Sequence, residues 1–336
     1  MGSTHATRAV RSIVARWLET GALAGVWPAA LARASARVWA RAIARPLALP
    51  SGIAVVTVGG ATLGGSGKTR VALAVVHALA QRGACVVLVG HAYRALPSRA
   101  RVVEQGDALA DVGDEALLCA RTLGAEARVV VASSRQVAVD FATMLVPRPD
   151  VIVIDGPLQL APVRAALSIL AVDAHAPWGA DALPPVGDLR ASRAALLAQA
   201  DVVAGVDALP RAAMIDGARL PLASLASLAS RKRVGLFTAI ARPHRLEEAL
   251  RRAGFSLPLV VRAPDHGPLS PSLKRTIRTA EIDLWLATHK CALHLSAVVG
   301  DHAIAFLEGT WELSAETEAA LERLVGDLPT RAALTR

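Results

Sequence analysis

Residues 53–69 read IAVVTVGGATLGGSGKT, and the rest of the chain is organised around them. Residues 53–58 are rich in β-branched side chains and read as a buried strand. A glycine-dense turn follows and delivers Lys68 and Thr69 to the start of a helical stretch. Gly64, Gly65 and Gly67 let the backbone curl so that successive N–H groups point inward, and the helix adds the positive end of its dipole. A polyphosphate therefore meets donors already aimed at it. In such a loop Lys68 bridges the β- and γ-phosphates of ATP, and Thr69 is a ligand to magnesium (Mg2+). The strict pattern has a glycine where this chain has Thr62. The residues expected to hold the nucleotide are Thr62, Gly64, Gly65, Ser66, Gly67, Lys68 and Thr69.

At 336 residues and 53% hydrophobic content the chain is globular and long enough for two lobes. Its three cysteines, Cys85, Cys119 and Cys291, have no metal-like spacing and suit a reducing compartment. Much of the net charge of +9 sits in residues 1–50, where seven arginines face one acid, Glu19. Arg33, Arg37, Arg41 and Arg45 recur every four residues along one helical face, with Leu31, Val38, Trp39 and Ile43 opposite. Residues 21–32 are apolar, but Pro28 interrupts them and a span needs about 20 residues. Basic amphipathic helices carrying Trp17, Trp27 and Trp39 suit the interface of an anionic membrane surface. Helices that pack on the core and show arginine to water would read the same way. One tyrosine and four phenylalanines offer few stacking platforms for nucleic acid, and no protein partner is evident.

Short apolar strands alternate with helical stretches from residue 71 onward, at 85–89, 129–131, 151–154, 169–172, 202–204, 234–237, 259–261 and 284–287. This order gives an α/β fold with mostly parallel sheets of the P-loop NTPase type, helices lying on both faces. Residues 151–155, VIVID, are a strand ending in Asp155, the position of a carboxylate that holds magnesium beside the loop. Asp114 and Glu115 follow Gly113 at the start of a helix, where the dipole favours acids. Residues 264–267, PDHG, form a turn carrying His266.

In this order, VTVGGATLGGSGKT, GDEALL, VIVIDGPLQL, WGADALPPVGDLR, PDH and THKCAL resemble the tetraacyldisaccharide 4'-kinase family of lipid A biosynthesis, the LpxK family. The resemblance covers nearly the whole chain. The family's own loop, N-I-T-V-G-G-T-G-K-T, also lacks the first glycine. The resemblance implies transfer of the γ-phosphate of ATP to the 4'-hydroxyl of a lipid A disaccharide precursor at the cytoplasmic face of the bacterial inner membrane. It implies two α/β lobes, the second smaller, joined by a two-stranded hinge with strands near residues 167–173 and 302–308. The lobes are then expected at 51–166, completed by 310–336, and at 167–309, behind the membrane-associating residues 1–50. It assigns Asp114 as catalytic aspartate, His266 as its partner, Lys68 and Arg190 as further catalytic residues, and Glu115 with Thr69 and Asp155 at the metal.

Four departures thin out charge around the metal and substrate. The family's D-D-G-L-Q-H falls on residues 155–160, so its second aspartate becomes Gly156. S-R-G-Y-G falls on residues 90–94 and keeps only Tyr93, with the arginine moved to Arg94. The glutamate after Arg190 becomes Ala191, and T-E-K-D becomes Thr288, His289, Lys290 and Cys291. Two other readings fit the residues: a non-catalytic paralogue that binds nucleotide and membrane, and another P-loop small-molecule kinase or ATPase.

Overall fold

The computed structural model describes residues 14, 17–22, 34, 44–90, 97, 99–207, 209–240, 242–264, 269–300, 302–309 and 312–328. Most of the basic amino-terminal segment, Tyr93 and Arg94 of the diverged motif, and His266 lie outside the described residues. Among those that are described, Trp17 is helical and 45% exposed. No helix among the described residues is long and apolar enough to cross a membrane.

The chain divides into two units, one formed by Met1–Val206 with Trp311–Arg336 and the other by Asp207–Thr310. The first unit carries a seven-stranded sheet. Its strands are β2 (Ala54–Gly60), β3 (Val86–Val89), β4 (Arg101–Val102), β5 (Arg128–Val131), β6 (Val151–Gly156), β8 (Leu167–Asp173) and β9 (Val202–Val206). Their spatial order is β4-β5-β3-β6-β2-β8-β9, and only the edge strand β4 runs antiparallel. A small parallel pair, β1 (Ala44–Pro46) with β7 (Gln159–Ala161), lies outside the sheet. Helices α1 (Lys68–Gln81), α3 (Asp114–Leu123) and α10 (Ala315–Gly326) contribute Val75, Leu117 and Leu321 to the core on one face. On the other face α4 (Arg135–Thr143) buries Ala138, Val139 and Ala142 against Ile152 and Ile154. The short helices α2 (Leu109–Val112) and α5 (Arg193–Gln199) complete this unit.

The second unit is a six-stranded sheet in the order β11-β10-β15-β14-β12-β13. It comprises β10 (Ala212–Ile215), β11 (Ala218–Pro221), β12 (Val234–Thr238), β13 (Leu259–Arg262), β14 (Leu284–Thr288) and β15 (Ala303–Glu308). Helices α6 (Leu222–Ala229) and α7 (Pro243–Arg252) bury Leu225 and Leu250 on one side, while α9 (His289–Val299) buries Leu295 and α8 (Pro271–Thr279) buries Ile277 on the other.

The division falls later in the chain than the resemblance implies. Leu167–Asp173, expected as a hinge strand opening the second lobe, is buried along its whole length and pairs with β2 and β9 inside the first sheet. Ala303–Glu308, expected as the other hinge strand, pairs with β10 and β14. The two strands belong to different sheets. A run with no polar face, such as LSILAV, has the pattern of an interior parallel strand and not of an exposed connector.

Candidate active site

Strand β2 is paired with β6 in parallel, with Val58 opposite Asp155. This register carries the end of VIVID to the mouth of the glycine loop. Thr69 Oγ1 donates to Asp155 Oδ2 at 2.7 Å, and Lys68 Nζ stands 3.3 Å from Oδ1. Asp155 is buried, and its Oδ1 accepts no hydrogen bond. Glu115 Oε2 lies 3.9 Å from Lys68 Nζ. Burial alone would lower the Lys68 pKa, but the charges of Asp155 and Glu115 outweigh it and hold the ammonium above the ordinary lysine range.

The loop is shaped for close approach of a ligand. Gly67, the cap of α1, has φ 76°, and a Cβ there would press on the Val206 side chain. No side chain caps α1, so the N–H groups of its first turn are not taken by one. Ser66 is buried with its hydroxyl against Gly60, and Gly64 and Gly65 line the outer part of the loop. Thr62 is turned onto the loop itself: its hydroxyl donates to the Gly64 carbonyl at 2.8 Å. Arg190 braces the same segment, donating from Nε to the Thr62 carbonyl at 2.9 Å and from its backbone N–H to Ala61 at 2.9 Å. Burial first, and the neighbouring charge of Arg135 second, push the Arg190 guanidinium below its usual range.

Asp114 and Glu115 open α3 after Gly113, whose φ is 86°. Asp114 is buried, with Oδ1 accepting the Glu115 N–H at 2.9 Å. One turn further, Cys119 is packed into the core, and burial together with the charges of Asp155 and Glu115 pushes its thiol well up. This cysteine is a neutral core residue. Ala191, at the lost glutamate position, is also core, packed with Leu189 and Leu196.

The structure thus brings Lys68, Thr69, Asp155 and Glu115 into one cluster, with Arg190 bound to the loop behind it. Arg135 was missed by the sequence reading. It opens α4, its charge bears on Arg190, and its guanidinium lies over Gly156.

A family model described as tetraacyldisaccharide-1-P 4'-kinase matches residues 26–328. A tetraacyldisaccharide 4'-kinase of Rhodospirillum centenum is 31% identical over 284 residues, covering 80% of this chain and 82% of that protein. One from Anaeromyxobacter sp. (strain K) is 31% identical over 286 residues, covering 75% of each. One from Azorhizobium caulinodans is 33% identical over 234 residues, covering 66% of this chain and 67% of that one. The solved structure of LpxK from Aquifex aeolicus in complex with ATP is 18% identical, covers 88% of this chain and 97% of its own, and superposes with a TM-score of 0.62, a likeness of fold. With this α/β architecture and the loop, its lysine and the strand-end aspartate in contact, a match spanning 26–328 has one consequence: the chain belongs to the tetraacyldisaccharide 4'-kinase family.

Proposed function

We propose that this chain transfers the γ-phosphate of ATP to the 4'-hydroxyl of a tetraacylated glucosamine disaccharide 1-phosphate, in lipid A biosynthesis at the cytoplasmic face of the inner membrane. The observation that carries this reading is the contact of Lys68 and Thr69 with Asp155 at the end of the glycine loop, in a chain of this family.

Phosphoryl transfer is positioning and charge stabilisation. The loop amides and Lys68 bind the β- and γ-phosphates, and Lys68 leaves its carboxylate partners for phosphate oxygens when the nucleotide enters. Arg190, fixed to the Thr62 carbonyl, holds the loop and presents the rest of its guanidinium to the phosphoryl group. Asp114 orients the sugar hydroxyl and accepts its proton late, a task that suits a carboxylate at a helix start kept ionised by the dipole. His266 assists it.

The residues present fit a magnesium ion: a buried Asp155 oxygen without a hydrogen bond and the Thr69 hydroxyl beside it are hard oxygen donors. Among the described residues no three acidic, histidine or cysteine side chains form a cage, so phosphate oxygens and water would complete the shell. Thr69 and Asp155 would hold the ion, with Glu115 at the edge of the site, and the ion would neutralise charge between the β- and γ-phosphates. The basic segment, with Trp17 and Arg45, would seat the enzyme on an anionic bilayer that contains its acceptor.

The test is thin-layer detection of the 4'-phosphorylated product from purified protein, magnesium ATP and the disaccharide 1-phosphate. Product formation is expected. Nucleotide binding without product would instead favour a non-catalytic member.

A further inference from the structure

Arg135 is the first residue of α4, and its guanidinium lies across the backbone of Gly156, the residue after Asp155. The nearest atoms that a Cβ at position 156 would meet are three atoms of this guanidinium, all well inside contact distance. Gly156 has φ 146°, a conformation that L side chains rarely adopt. The bare α-carbon is what admits Arg135 to this place. Were position 156 a carboxylate, as in the family's D-D-G, an acid would stand where the guanidinium now lies.

The nearest acid, Asp155, acts on Arg135 by charge alone and makes no ion pair with it at contact distance. Its Nε is buried without a hydrogen bond, and no ion pair or hydrogen bond reaches the side chain from any described residue. Asp155, the adjacent acid, accepts no hydrogen bond from it: Oδ2 accepts from Thr69 and Oδ1 faces Lys68. Burial first, with the charge of Arg45 added, outweighs the favourable charge of Asp155 and pushes the Arg135 pKa below the usual guanidinium range. A largely desolvated planar cation with five donors, set among other cations at the end of the strand beside a phosphate loop, is complementary to an oxyanion.

We propose that Arg135 is a further nucleotide-binding residue of this site, a cation for the terminal phosphate of ATP beside Lys68, and that through it the protein holds ATP without a divalent ion. This rests on the reading of the loop as a nucleotide site. With glycine in place of a carboxylate at position 156 and the Arg135 guanidinium lying over it, the site has less need of a metal to offset the charge of the triphosphate.

Equilibrium binding of ATP and AMP to the full chain, by calorimetry in excess EDTA and again in magnesium, tests the proposal. Wild type is expected to bind ATP in EDTA. Arg135→Gln should weaken that binding about 10- to 100-fold, the effect of a lost charge-assisted hydrogen bond, with AMP affinity unchanged. Arg135→Lys should stay within a few-fold of wild type, which keeps the test decisive if the glutamine variant folds poorly. Arg135→Gln should melt at or above the wild-type temperature, because removing an unpaired buried cation relieves desolvation, whereas a structural arginine would lower it. Equal metal-free ATP affinity for wild type and Arg135→Gln, or wild type that binds ATP only with magnesium, would overturn the proposal and leave the loop reading standing. A wild-type protein that binds no ATP under either condition would overturn both.

Discussion

Two parallel strands in this molecule lead into helices, and they do so differently. At the β14–α9 junction Thr288 closes the helix: its hydroxyl accepts the Cys291 N–H at 3.3 Å and donates to Cys291 Sγ at 3.1 Å. Cys291 is buried and its sulfur also accepts the Ala239 N–H at 3.1 Å, so burial pushes the thiol up and keeps it neutral. At the β2–α1 junction seven loop residues intervene, 61–67, no side chain caps the helix, and the charged groups Lys68, Asp155 and Glu115 converge on it. The first arrangement uses its donors internally, and the second keeps them for a ligand. Two helix starts of similar outline are thus told apart by where their hydrogen bonds go.

The strongest way to break this contrast is at the open junction. Lys68→Ala should reduce kcat by roughly 10³-fold or more in a protein that still folds, with some loss of melting temperature because Asp155 is left buried without its cation. Next in size, Asp114→Ala should lose roughly 10²- to 10³-fold as the proton acceptor is removed. His266→Ala combined with it should be barely slower, since residues acting as one unit are non-additive. Losses that multiply in the double variant would dismiss the pair. Asp155→Asn keeps the shape of the site but removes the charge facing Lys68 and Thr69, and it should cost roughly 10²-fold in kcat together with a higher magnesium requirement. The smallest effect belongs to the closed junction. Thr288→Ala should cost about 1 kcal/mol of stability, the value of a helix cap, and leave kcat/KM for ATP unchanged.

The parts of this contrast were unequally visible in the amino-acid sequence. The loop announces itself because strand, glycines and lysine are contiguous, and eight further strands show as short apolar runs within a residue or two of their observed ends. Strands β1, β4 and β7 are two or three residues long and leave no periodicity to read. Leu167–Asp173, expected from the resemblance near a hinge, pairs inside the first sheet, and the uniform burial of that strand was written in its composition. Arg190 holds the loop from 128 positions away, a contact no local pattern reveals. Nor does anything in SSRQVA distinguish Arg135 from an ordinary helix-start residue, since its place depends on the missing side chain of Gly156. Thr288 and Cys291 carried the look of a diverged catalytic motif, and the structure turns them into a cap and a core thiol.

The most direct measurement is transfer of label from γ-labelled ATP to the disaccharide 1-phosphate by wild type, Lys68→Ala and Thr288→Ala side by side. Label should reach the lipid with wild type and Thr288→Ala and not with Lys68→Ala. Transfer by Lys68→Ala at the wild-type rate, or loss of transfer in a folded Thr288→Ala protein, would contradict the assignment of the open junction as the site of chemistry.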